Sequence, residues 1–598
     1  MKLNRTAAQW GAILLSAATF AACGDDDDDN GTDPQPGAPA TPTNLATSFD
    51  GFDLTVTWDA VADADRYDVA LDDGDPDTTN PSQTTTDTEA TFERVAGGGD
   101  LTVSVTAINS SGSSTPATTS VGTPSLNTTF FNNDGFNNVL ADPGLDPSAF
   151  NAGTASTPPD FTVDAMPDGY TAATIPTGFD ANLIAPGDGR TLDDTDYAGA
   201  IEPGTALADA WYNGWTVWAT DGSDSRTWVE ADIEERTDSV LADATWSGVV
   251  RITGPIFVGR DCGTDGTKEG CQEVTLTIEP GTTIIGNTAV AEGERGSYLV
   301  VSRGSRIIAD AFGNPDAAAP GPPAEEDVIV FTSEKVIDGT AARADWGGLI
   351  INGQAPTNAG EEAEGEGESG LYGGTDENDD SGILRGVRIE FAGDDVTATD
   401  QLNGLALQGT GAGTTISYIQ IHYNEDDGIE PFGGTASVDH MVLTGIGDDS
   451  MDGTDGYRGF MQYVLIQQRG DNADNGMELS NNGDTPDASP KSSSIVANVT
   501  AIGAGTNVVD GDIAGAESDN GIQLREGSHY RIYNSIVTGF GEGGFCIRDG
   551  QTIVNALNAL EGETDPTTTV TAQGLILWSN QAADDSAENF AACGGGSS

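Results

Sequence analysis

Three carboxylates recur at one position of a repeated phrase: Glu430 closes Asp427-Gly428-Ile429-Glu430, Asp452 closes Asp449-Ser450-Met451-Asp452, and Glu478 closes Asn475-Gly476-Met477-Glu478. Gln523 and Cys546 hold the same place in later copies, after Ile522 and Phe545. Alternation along a strand sends Ile429, Met451, Met477, Ile522 and Phe545 inward and the residue after each of them outward. If the copies stack as neighbouring strands about 4.8 Å apart, the three acids form a column of like charge. Such a column needs a cation, raised pKa values or outward splay. The turns just before it add Asp426, Asp427, Asp448, Asp449, Asp471 and Asp474, hard oxygen donors of the kind Ca2+ takes. Glu430, Asp452, Glu478, Asp426, Asp427, Asp448 and Asp449 are therefore the candidate Ca2+ ligands. Gln523, Arg525 and Arg548 extend the same face as a candidate ligand surface, with Arg458 and Arg469 in the intervening loops.

Three kinds of chemistry fit these residues. Calcium bound for structure accounts for the acids without a substrate. Alternatively, paired carboxylates could perform acid and base work on a glycan, or an arginine beside a calcium-bound uronate could abstract a proton. Thirdly, turn aspartates and asparagines satisfy neighbouring backbone groups through Asx geometry, while exposed acids stay hydrated. No complete acid, base and substrate clamp is legible, so no catalytic residue is assigned and ion binding is the expectation for the column.

The elements that carry these residues are short strands separated by turns rich in Gly, Asp and Asn. From Gly404 the turn glycines and their equivalents step by about 24, 22, 26, 45 and 23 residues, the long step being read as two units. Companion strands lie between them, Val387-Arg388-Ile389, Ile419-Gln420-Ile421, Met441-Val442-Leu443 and Val464-Leu465-Ile466, then Val499 and Ile536. Upstream, Val274 to Ile285 is echoed by Tyr298 to Ile308 at a shift of about 23 residues. This period and composition predict a solenoid of right-handed parallel β-helix type over 237–598. An antiparallel propeller would need a unit nearly twice as long. The acidic insertion Ala359 to Asp380 is expected to be a solvated loop rather than a lid. The solenoid ends are assigned covers: the aromatic segment before Val249 and the tail from Gln573 to Cys593.

Ahead of the solenoid, Leu54 to Trp58, Tyr67 to Leu71 and Leu101 to Ala107 alternate as half-buried antiparallel strands do. Residues 125–236 show little periodicity and form a connector or cap. Its Tyr197, Trp211, Tyr212, Trp215 and Trp218 are expected to anchor it to the following domain, the competing reading being a sugar-stacking platform.

The 598 residues carry 96 acidic against 23 basic side chains, a formal charge of −73. Such a surface repels nucleic acid and anionic lipid head groups and attracts divalent cations. Residues 1–22 read as a signal peptide, with Lys2 and Arg5 before an apolar run too short to span a bilayer. Cys23, Asp25 to Asp29 and the Pro- and Gly-rich Asn30 to Ala40 then read as an anchor and stalk over 23–40. Export permits disulfides, and sequence proximity pairs Cys262 with Cys271 and Cys546 with Cys593. His422, His440 and His529 do not fall at zinc-ligand spacing with these cysteines.

Three resemblances add to this reading. Phe20-Ala21-Ala22-Cys23 resembles the bacterial lipoprotein signal, which implies that Cys23 carries acyl chains and that the protein meets a membrane through its lipid. Residues 41–124 resemble a fibronectin type III domain, with Trp58 in the core, Tyr67 on the next strand and Ala107 to Gly112 closing a late one. Asp345 to Gly353, Leu371 to Thr375, Gly386 to Gly393, Asn403 to Gly409, Asp426 to Gly434 and Gln467 to Gly476 resemble a family of bacterial outer-membrane lipoproteins with a pectin-lyase-like β-helix, of leptospiral surface lipoprotein type. That family implies an all-β fold and an envelope location, periplasmic or surface-exposed, and supplies no catalytic residue. The combined expectation is a lipid-anchored display protein with a calcium-stabilised β-helix that binds or adheres to a polysaccharide or cell-surface ligand. A polysaccharide lyase or hydrolase and a purely structural envelope component are the alternatives.

Overall fold

The computed structural model describes residues 37–580 except 51, 73–80, 93–94, 96–99, 125, 148–157, 180–181, 288–295, 316, 397–400, 472, 506–517, 549 and 579. Cys23, its signal segment and Cys593 lie outside the described residues. Two compact units are distinguished: Met1–Thr47, Val56–Ala90 and Thr102–Thr119 in the first, and Ser48–Thr55, Thr91–Leu101 and Ser120–Ser598 in the second.

Antiparallel pairing organises the small N-terminal region. Arg66–Asp72 pairs with Ser82–Thr85 on one side and Asp100–Asn109 on the other, and Ala46–Asp50, Asp53–Thr57 and Glu89–Phe92 form a separate three-stranded sheet. Val56, Trp58, Tyr67, Val69, Leu71, Val103 and Val105 are buried at alternate positions, the period that a half-buried strand requires. Trp58 meets Tyr67 edge to face at 5.2 Å, and the Tyr67 hydroxyl accepts the Val61 N–H at 2.8 Å.

The second unit is a parallel β-helix built from a nine-stranded and a seventeen-stranded sheet. In the middle coils each turn contributes one short strand to the first sheet, such as Ile429–Phe432, and one bent strand of eight residues to the second, such as Ser437–Thr444. Ile429, Met451, Met477 and Ile522 line the interior with Ile419, Ile421, Met441, Leu443, Val464 and Ile466. Each long strand bends at one residue with positive φ. Stacked in register, these are Gly386, Tyr418, His440, Tyr463, Asn498 and Asn534, with φ between 46° and 68°. A left-handed residue other than glycine costs about 1–2 kcal/mol. Part of that cost is offset by ring stacking along the column, 4.6 Å from Tyr418 to His440 and 4.9 Å from His440 to Tyr463.

Register corrects two readings of the repeat. Glu478 lies directly opposite Gln523, so the long step between those copies is one enlarged coil and not two. The upstream echo also joins strands of different sheets: Thr275–Ile278 belongs to the seventeen-stranded sheet and pairs with Arg306–Asp310, whereas Tyr298–Val301 belongs to the nine-stranded one. Similar sequence here reflects similar burial, not equivalent position.

The connector begins against the last coil, where Leu126, Phe130 and Phe131 join the core, and it extends well beyond that end. Val139–Leu140 joins the last coil beside Ile576–Trp578, and Phe130 stacks on Phe545 at 5.9 Å. The chain then runs back along the broad outer face of the long sheet to the first strands, Ile233–Arg236 and Ala244–Trp246. Along that path the outward amides of the sheet bind its backbone. Gln420 accepts from Val217 N and donates to Val217 O, at 2.8 and 2.7 Å. Gln462 does the same with Asp193, both at 2.9 Å, and Asn534 with Ala173, at 2.8 and 2.9 Å. Three of the five aromatic anchors are buried and Tyr197 and Trp211 are half-buried: Tyr212 and Trp218 pack with Val442 and Leu465, and Trp215 with Val330 and Tyr418. At the last coil Thr571–Gln573 and Ile576–Trp578 continue the long sheet, and most of the tail from there to Cys593 lies outside the described residues.

Asn534→Ala removes both bonds to Ala173 and leaves at φ 46° a residue less tolerant of the left-handed region than asparagine. We expect a loss of about 2–4 kcal/mol in denaturant unfolding and faster proteolysis within 158–200. Unchanged cleavage there would mean that the amide does not hold the connector.

A carboxylate site on the nine-stranded sheet

Parallel register delivers the column that alternation predicted. Ala406 faces Glu430, Ile429 pairs with Met451, Asp452 faces Glu478, Glu478 faces Gln523, and Gln523 faces Cys546. The turns before these strands form a second ladder. Asp427 Oδ1 accepts from the Asp449 N–H at 3.0 Å, Asp449 Oδ1 from the Asn475 N–H at 2.6 Å, and Asn475 Oδ1 from the Asn520 N–H at 3.3 Å. The turn aspartates thus satisfy backbone N–H groups of the next coil, not of their own turn as Asx geometry would, and also face the acid column.

Four groups of three carboxylates each place ligand atoms within 4.8 Å of one another: Asp426, Asp427 and Asp448; Asp427, Glu430 and Asp452; Asp448, Asp449 and Asp474; Asp449, Asp452 and Glu478. They share members and make one continuous acidic network. Its inner half, Asp427, Glu430, Asp449 and Glu478, is buried. Burial, followed by mutual repulsion, holds the carboxyls of Asp427, Glu430 and Asp449 well above the usual range, and Asp452 rises in the same way. Asp448 is pushed up to about 7, first by burial and then by Asp426. An acid-lined depression of about 270 Å³ opens beside this end, with Glu425, Asp448, Asp474 and Asp519 in its wall.

Compensation is one-sided. Arg525 Nη1 lies 2.6 Å from Glu478 Oε1 and Nη2 lies 2.7 Å from Glu526, and Arg548 Nη1 donates to Gln523 Oε1 at 3.1 Å. The other arginines named from the sequence are elsewhere. Arg458 pairs with Glu377 at 2.9 Å, and Arg469 lies over Tyr423 and 3.9 Å from Asp471. At the Glu430 end the relief is an amide: Asn403 Nδ2 donates to Glu430 Oε2 at 2.6 Å and to Glu366 Oε2 at 2.7 Å. Two buried oxygens there make no hydrogen bond, Asp452 Oδ1 and Asn403 Oδ1. An oxygen-only set with unpaired acceptors fits a hard divalent cation.

The acidic insertion is not a free solvated loop. Its strands Ala363–Glu364 and Leu371–Tyr372 pair antiparallel, Tyr298 donates to Gly367 O at 2.8 Å, and Arg303 donates to Gly373 O at 2.8 Å. These contacts press it onto the outer face of the nine-stranded sheet and bring Glu366 to the acid column. Asn403 was legible as a copy of the turn phrase; nothing in the run of glutamates marked which one would arrive.

Among the cysteines, Cys262 and Cys271 are disulfide-bonded. Cys546 is disulfide-bonded as well.

This is a parallel β-helix protein with a partly buried carboxylate network on one sheet. A family model described as a pectate-lyase-like β-helix domain matches residues 267–592, and the chain belongs to that family. No curated protein matches the sequence. Among solved structures, the chain is similar to one described as FN3tt mut, at 24% identity and TM-score 0.13, over 14% of this chain and 97% of that one. It is also similar to the chicken CNTN1 FN1–FN3 domains, at 18% identity and TM-score 0.14, over 15% and 31% of the two chains. The fn3 domain of the human collagen alpha-1(XX) chain gives 20% identity and TM-score 0.14, over 16% and 93%.

The raised carboxyls set a sign for the pH dependence. The folded chain retains protons that the unfolded chain gives up near pH 4, so metal-free stability is greatest on the acid side and falls as pH rises through about 7, where Asp448 ionises. Chemical denaturation in chelator should show a lower midpoint at pH 8 than at pH 5, and Asp452→Asn should flatten that slope. A midpoint that rises with pH would contradict the assignment.

Proposed function

We propose that this protein is a lipid-anchored component of the cell envelope that displays a Ca2+-loaded β-helix face for binding an external ligand. The observation that carries the reading is Asp452 Oδ1, buried and without a hydrogen-bond partner where two carboxylate triads meet. Arg525 already serves the Glu478 end, which leaves Asp427, Glu430 and Asp452 as the better cation cradle, with Asn403 beside it. Ca2+ takes six to eight oxygens at about 2.3–2.6 Å, so three carboxylates leave coordination positions for water or for a ligand oxygen. The bound ion would supply charge neutralisation and a Lewis-acidic contact. The chain's own part is to hold three carboxylates from two coils at fixed spacing. Membership of the pectate-lyase-like β-helix family supports a polysaccharide-related role, and the apolar run, Cys23 and the acidic stalk support display from a membrane.

The test uses the mature full chain, stripped with chelator and followed by thermal unfolding. Added Ca2+ should raise the midpoint, by an amount equivalent to about 2.7 kcal/mol at a hundredfold excess over Kd. Asp452→Asn should fold and lose the response, and Glu430→Gln should weaken it at least tenfold. A midpoint indifferent to Ca2+ sinks the ion claim. Unsaturated products from an acidic glycan, abolished by the same substitutions, would replace binding with lyase chemistry.

A further inference from the structure

A recess of about 360 Å³ lies on the nine-stranded sheet several coils from the carboxylate network, within the range of small-molecule sites. Its lining includes Phe257, Asn352, Leu241, Arg260 and Leu371 of the packed insertion. Three observations set its chemistry. Asn352 is 1% exposed; its Nδ2 donates to Ser369 O at 2.9 Å, while its Oδ1 makes no hydrogen bond. An unpaired buried acceptor calls for a donor, and an orphaned group of this kind costs about 1–3 kcal/mol. Arg260 is exposed, and among the described residues its guanidinium makes no ion pair. Asp261, the acid next to it, is already bonded by both Lys268 and Arg303, the latter at 2.8 Å. In a chain with 96 acids and 23 bases, an arginine in the lining of a recess whose neighbouring acid is already taken by two other cations is a local site for an anion. The third observation is that the lining also carries apolar side chains, Leu241, Phe257 and Leu371.

We propose that this recess receives an organic carboxylate on an apolar body with an N–H donor, the chemistry of the C-terminal residue of a peptide. The carboxylate takes the Arg260 fork, the N–H satisfies Asn352 Oδ1, and the side chain lies between Phe257, Leu241 and Leu371. The pairing of Asp261 with Lys268 and Arg303 keeps that acid from competing for Arg260, and the same Arg303 fixes the insertion that forms one wall. The site uses none of the Ca2+ ligand candidates, so it stands apart from the proposed ion site.

N-acetyl-leucine is the probe, with saturation-transfer NMR and calorimetry on the mature full chain. Binding is expected, weakened about tenfold or more by Arg260→Ala and abolished by Leu371→Trp, which fills the recess. N-acetyl-leucinamide, lacking the carboxylate, should bind at least about tenfold more weakly. Chelator and Asp452→Asn should leave binding unchanged, which separates this result from the fate of the ion site. The proposal is overturned by no binding of N-acetyl-leucine at millimolar concentration, by equal binding of the amide, or by binding that survives both substitutions. Tighter binding of galacturonate would also overturn it and make the recess a saccharide site.

Discussion

In-register parallel stacking is the constraint on which everything else rests. Every coil places its equivalent side chain about 4.8 Å from the next, so each sequence position becomes a column that must tolerate itself. Ile429, Met451, Met477 and Ile522 do so through packing, and Tyr418, His440 and Tyr463 do so through stacked rings. Asp427, Asp449, Asn475 and Asn520 do so because each can accept from the next backbone N–H. In the acid column Asn403 relieves Glu430 and Arg525 relieves Glu478, while Asp452 Oδ1 between them has no such internal solution. A column that the fold itself cannot satisfy is where an outside partner has something to supply.

The same constraint explains the irregular connector. Outward positions of the long sheet would otherwise be solvated, yet Gln420, Gln462 and Asn534 each present a primary amide that matches one peptide unit in both donor and acceptor. The connector's backbone therefore finds its partners in side chains, not in another strand, and needs no periodicity of its own. The cost of ordering it is offset by the aromatic anchors, Tyr212 and Trp215 above all, which are fully buried.

What could be read from sequence follows from this physics. The inward and outward alternation at Ile429-Glu430 or Met477-Glu478 is a local property, so the column was legible residue by residue, whereas the cross-coil bonds of its turn aspartates were not. Coil length was not, because a loop can be inserted without disturbing register: Glu478 meets Gln523 across a long excursion, and the spacing alone suggested an extra coil. The landing of the insertion was equally hidden. It depends on Arg303 and Tyr298, which belong to other coils and reach Gly373 and Gly367 only in three dimensions. The amide zipper escaped for a similar reason, since Gln420 and Gln462 read as ordinary outward polar residues until the connector is laid across them.

The distribution of charge along the column adds a further step. Arg525 stands at one end, and Asn403 with Glu366 stands at the other, so the unsatisfied charge is concentrated around Asp452. Asp427 and Glu430 come from one coil and Asp452 from the next; an ion held among them would bridge two repeats that otherwise repel. In a solenoid, stability is close to a sum of repeat terms and nearest-neighbour interfaces, so a bridge at that junction strengthens the interface with the largest electrostatic penalty. Removing it would weaken that interface first and leave the apolar stacking on either side in place. Ion occupancy would then govern the local order of the face the protein presents, with the solenoid as a whole held by its core.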